Sequence, residues 1–174
     1  MGNYSYLRVL AEPVTSVSDE TVLRTGKNSI PALWFTLFES ADQTVFELPL
    51  NSALTVEVPG LLVPIAKARE SLARALPFLH SCLPQGLHPV LAQWEAMAAA
   101  VSLPFVALDP ADLSLVLEPS VLQAWLTAGT SAFIDRSPEH LIAAFDVTGL
   151  EFDPVTNAVT AYDAALAPFA LSGF

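Results

Sequence analysis

Cys82 sits in "HSCLPQGLH", two residues after His80 and six before His88, and these are the side chains whose types could make a thiolate nucleophile and its base. Nucleophile and base need only meet in space, so the spacing permits that chemistry. The surroundings oppose it. A lone cysteine in an apolar turn punctuated by Pro84 and Pro89 reads as an inert small hydrophobe. The same two histidines, without a nearby carboxylate, are too few to hold a zinc ion.

A second constellation is "DRSPEH", which gathers Asp135, Arg136, Glu139 and His140 around a helix start. His140 with Asp135 or Glu139 could do acid/base work in a small hydrolase with a dispersed site. The preferred reading is structural: Ser137 caps the helix, Pro138 takes its first position, and acids there complement the macrodipole. Asp146, Glu151 and Asp153 lack the spacing and glycine of a calcium loop. They read as a solvated acidic edge and a contact for a basic partner. Phosphate-cradling GxxxxGK[ST], GxGxxG, HExxH, CxxC and GxSxG patterns are all absent. The residues call for no cofactor and no metal, and the weight falls away from an enzyme.

Charge sharpens that reading. Seven Lys and Arg against 18 Asp and Glu leave a net charge of −11, and residues 75–174 hold Arg136 alone against ten acids. Such a field repels nucleic-acid backbones and anionic lipid, so neither is expected as a partner. A basic protein is. Charged residues make up only 14 % of the chain, well below the usual quarter, which favours a surface with uncharged area to bury. One cysteine excludes an internal disulfide and fits a reducing compartment. The start "MGNYSYLRVL" has neither a basic region nor a long apolar segment, so a cytoplasmic protein is expected. Tyr6 stands where a myristoylation pattern at Gly2 would need Ser or Thr, and that motif is rejected.

The elements that must position these groups form one domain over residues 1–174. "YSYLRVL" predicts a strand and "SVSDETVLRTGKN" a polar connection. In "NSIPALWFTLFES" Ser29 can cap a short helix on which Ile30, Leu33, Trp34, Leu37 and Phe38 make one apolar face. Phe35 alone points away, as an exposed contact. "TVFEL" and "ALTVEV" predict two more strands. A helix from Pro64 pairs Glu70 with Arg74 and is kinked or ended by Pro77. The uncharged run from Ala75 to Trp94 is broken by three prolines and reads as helix, turn and helix, not a membrane span.

Further on, "PFVALD" predicts a strand, "DLSLVLE" a strand or a helical turn, and "PSVLQAWLTAG" a helix with Gly129 just past its end. "SPEHLIAAF" predicts another helix, and "LEFDPVTNAVTAYD" two short strands around a turn. The tail "AALAPFALSGF" either docks on the body or waits for a groove. Trp34, Trp94 and Trp125 all fall on apolar helical faces and are expected in the core. The interleaving of strands and helices is irregular, which predicts an α+β fold: a mixed, mostly antiparallel sheet with about five helices.

The pattern "GNYSYL" followed by "IPALWFTLF" resembles small bacterial immunity proteins of polymorphic toxin systems, including those delivered by type VI secretion. The resemblance covers roughly the first forty residues and carries over no functional site. It implies a protein that neutralises a cognate toxin by occluding its active site or substrate surface. Partner contacts are expected at Glu118, Asp135, Glu139, Asp146, Glu151 and Asp153, with Phe35. An adaptor subunit of a protein assembly is the other reading besides the hydrolase.

Overall fold

The computed structural model describes residues 3–14, 22–51, 53–146 and 148–173. Strand β1 (Tyr4–Leu10) pairs antiparallel with β2 (Val22–Lys27) on one side and β5 (Phe105–Asp109) on the other. Strand β4 (Leu54–Pro64) pairs with β5 and with β3 (Gln43–Asn51), giving the order β2-β1-β5-β4-β3 with every neighbour antiparallel. Part of the expected polar connection is thus strand β2; residues 16–21 of it, like Gly2, lie outside the described residues.

Between β4 and β5 the chain runs out along α1 (Ile65–Cys82) and back along α2 (His88–Ala100). This returns Phe105 to the strand position beside Pro64, and the Ile65 amide donates to the Pro104 carbonyl at 2.8 Å. Helices α3 (Pro119–Asp135) and α4 (Pro138–Asp146), a two-stranded ribbon of β6 (Glu151–Asp153) and β7 (Ala158–Ala161), and α5 (Ala167–Ser172) complete an α+β architecture. Successive side chains of β5 alternate across the sheet. Val106 and Leu108 join the main core with Leu7, while Ala107 joins a small cluster with Leu10 and Phe46.

The stretch expected as an amphipathic helix is instead a 3-10 turn, Ala32–Leu37, and all six of its residues are buried. Helices α1, α3 and α5 all pack on it, so it has no solvent side. Phe35 is 1 % exposed, which corrects its reading as a surface contact. Buried polar atoms in this hub are partnered: the Thr36 hydroxyl donates to the Leu33 carbonyl at 2.5 Å and accepts from the Trp94 indole at 3.2 Å. Ser29 does not cap the turn; its hydroxyl donates to the Lys27 carbonyl at 3.4 Å.

Neither Pro77 nor Gly129 ends its helix. Pro77 lies inside α1, which continues to Cys82. Pro77 cannot donate to the Ala73 carbonyl, but Ala73 faces solvent, and Phe78, Leu79 and Cys82 beyond it are buried and hold the last turn down. Gly129 is not past the end of α3 but inside it, where its missing Cβ admits the Phe35 ring.

Candidate functional site

The distribution of charge partners organises the surface. Arg8 is buried on Asp109, its Nε donating to Oδ2 at 2.9 Å. Lys67 reaches Asp42 at 2.6 Å and Glu39 at 3.4 Å, and Arg74 turns to Glu39 rather than to Glu70. Tertiary geometry thus overrides the expected helical pair on α1: Glu39, at the cap of the turn Ser40–Asp42, brings a carboxylate against two cations of that helix. The hydrogen bond to Asp42 raises the Lys67 pKa. Partial burial acts to raise that of Glu39, but the contacts from Arg74 and Lys67 outweigh it and hold the carboxyl below its ordinary range.

Arg69 lies along the C-terminal end of α2 and donates to the carbonyls of Ala98, Ala99 and Val101 at 3.1, 2.9 and 2.6 Å. A cation there satisfies carbonyls that the helix leaves without donors. Arg136 closes α3 in a left-handed conformation, φ 49°, with its guanidinium 5.8 Å from the Phe78 ring. Five of the seven cations, Arg8, Lys67, Arg69, Arg74 and Arg136, therefore serve contacts within the molecule.

The exposed acids from Glu118 onward are left without counter-ions among the described residues. Glu118, Asp135, Glu139, Asp146 and Glu151 are exposed, and none of them is ion-paired among the described residues. They do not converge on one spot. Glu118 precedes α3 and Asp135 ends it, about 25 Å away along the axis. Asp135 and Glu139 flank the α3–α4 junction, and Asp146 lies at the far end of α4. Asp153 has a structural duty: it accepts from the Val155 amide and the Thr156 hydroxyl, each at 2.8 Å, and so shapes the β6–β7 turn. Those hydrogen bonds, the Thr156 hydroxyl first, lower its pKa.

The candidate catalytic groups are not brought together. Cys82 points into the core, its thiol against the Leu79 carbonyl, and burial pushes its pKa up to about 12. His80 and His88 meet each other edge-on, ring centres 5.2 Å apart, and His88 contacts the Leu83 carbonyl at 3.2 Å. Neither imidazole touches the thiol as a base must. At "DRSPEH" the Nδ1 atom of His140 is buried with no hydrogen-bond partner among the described residues, and no hydrogen bond joins it to Asp135 or Glu139. Among the described residues no group of three or more His, Cys, Asp or Glu is placed to hold a metal ion.

One constellation escaped the reading of the residues. Arg8 lies over the Tyr6 ring, 4.6 Å from its centre, and the Tyr6 hydroxyl donates to Asp112 at 2.6 Å. The other oxygen of Asp109 accepts from the Ala111 amide at 2.9 Å. Burial raises the Asp109 pKa against the pull of Arg8, and burial together with Asp112 raises that of Tyr6. With its polar groups partnered in this way, the cluster fastens the 3-10 turn Ala111–Leu115 onto β1. The available signal was a charge inside each of two apolar strands, "LRVL" and "FVALD".

These features define a class: an α+β protein in which five of the seven cations make contacts within the molecule, while a set of acids from Glu118 onward is exposed and not ion-paired among the described residues. No family model, curated protein or solved structure matches the chain. No helix among the described residues is long and apolar enough to cross a membrane.

Proposed function

We propose that the protein is a binding module of the immunity type, which stays in the cytoplasm of the cell that makes it and neutralises a cognate bacterial toxin by covering its active site or substrate surface. The observation that carries this reading is the asymmetry of charge partners: five of the seven cations engaged within the molecule, and exposed acids from Glu118 onward with no counter-ion among the described residues. An unneutralised acidic surface steers a basic partner by long-range attraction, and apolar contacts then anchor it. Phe35, buried in the hub, is not one of those anchors.

The test pairs protection with kinetics. A tagged copy should retain a toxin-like partner at moderate salt and protect cells that express that toxin. Its association should slow by about tenfold or more from low to high salt, because steering is screened over about a Debye length. Charge reversal at Glu118, Asp135 and Glu139 should slow association at low salt without loss of fold. Association that ignores both salt and charge reversal would remove the steering mechanism, and a captured partner without toxicity would remove the immunity role.

A further inference from the structure

A cleft of about 310 Å³ opens where the end of β2, the turn after α4 and helix α5 converge. That volume lies at the lower end of the range for small-molecule sites. One wall is polar and carries Lys27 and Ser29, with Thr148 beside them; the other is apolar, built from Leu166, Phe169 and Ala170. Leu166 is 61 % exposed and Phe169 45 %, so the apolar wall presents part of each side chain at the surface.

Both walls are held in place from within. Asn28, in a left-handed conformation at φ 58°, donates its amide to the Asn3 carbonyl at 2.7 Å and accepts the Asn3 amide on its side chain at 3.1 Å. The Ser5 hydroxyl donates to the Ser29 carbonyl at 2.7 Å. Opposite, the Trp34 indole donates to the Ser172 carbonyl at 2.9 Å, and Gly173 lies against Trp34 and Pro31. The Thr148 hydroxyl is spent on the Phe145 carbonyl at 2.6 Å. A ligand would meet walls that are already formed.

Charge selects the ligand. Among the described residues the exposed Lys27 ammonium makes no ion pair or hydrogen bond, and none of those lining the cleft is an acid. In a chain of net charge −11 this cationic spot is an exception. The geometry points to a binding site for a small apolar monocarboxylate. Its carboxylate rests on the Lys27 ammonium and takes a hydrogen bond from Ser29, whose hydroxyl among the described residues makes only the long contact to the Lys27 carbonyl. The alkyl body lies between Leu166 and Phe169.

Amide NMR spectra of the full chain, titrated at neutral pH with octanoate, octanol and octylamine, test this with three probes that share a body and differ in head group. Octanoate should give saturable shifts at Lys27, Ser29, Thr148 and Phe169, with octanol weaker and octylamine silent there. Lys27→Gln should cost octanoate about tenfold in affinity, the scale of one charged hydrogen bond, and bring it to the level of octanol. Leu166→Asp, a second change at an exposed position, should abolish octanoate binding. The proposal fails if octanoate does not bind, if octylamine binds as well, if Lys27→Gln changes nothing, or if the shifts map elsewhere.

Discussion

Gly129 and Phe35 are in such close contact that a Cβ on the glycine would overlap the phenylalanine ring. The contact joins helix α3 to the buried 3-10 hub, and it explains both why a glycine interrupts a long helix and why an aromatic side chain that should face water does not. In a helix interior Gly→Ala ordinarily stabilises by about 1 kcal/mol. Here the sign reverses: Gly129→Ala should destabilise by about 1–3 kcal/mol through overpacking. Phe35→Leu in the same chain should recover part of that loss. Denaturant unfolding of the two single variants and the double variant measures both effects.

Arg8 and Asp109 form a buried ion pair, and removing the Asp109 charge takes the carboxylate away from a buried guanidinium. Asp109→Asn keeps an acceptor for the Ala111 amide but removes the charge, and should cost about 3 kcal/mol or more. Adding Arg8→Met removes the buried cation as well and should restore more than half of the loss. If the double variant is as unstable as Asp109→Asn alone, charge is not what the pair contributes.

The ion-pair cluster of Glu39 and Asp42 with Arg74 and Lys67 should stabilise across the neutral range and weaken at both ends. The Glu39 pKa is lowered from 4.5, so its contribution is present above 4.5 and is lost as the pH falls through the folded value. The Lys67 pKa is raised from 10.5, so its contribution is present below 10.5 and is lost as the pH rises through the folded value. Unfolding curves of Glu39→Gln and the unaltered protein should differ near pH 7 and converge in acid. The Glu39–Lys67 contact is part-exposed, so a modest gap is expected.

Cys82 should be silent toward thiol reagents at pH 8 and react stoichiometrically once the chain is unfolded. Burial holds its thiol protonated up to about 12, against 9.0 for a free group. A raised acid pKa stabilises the fold below 9.0, and the contribution declines as the pH rises from there to about 12. Prompt labelling of the folded protein would overturn this burial.

Much of the fold was legible in the residues because it depends on local pattern. Alternation and β-branched content located β1, β4 and β5, Pro138 marked the start of α4, and Asp153 and Asn157 marked the β6–β7 turn. The tail, read as docked or free, is docked through Trp34 and Ser172 in its described part. The strand β2 was missed because an edge strand of mixed composition, VLRTGK, has little alternation to read.

Composition and spacing by themselves determined the α+β class, the acidic imbalance and the lack of a local catalytic motif, because each is a sum or a short-range periodicity along the chain. Only tertiary structure decided which charges are used. Arg74 chose Glu39, 35 residues away, over Glu70, and Arg8 found Asp109 across 101 residues. It also decided that the apolar run from Ala32 to Leu37 would be enclosed on every side, since burial depends on how many elements converge on a segment.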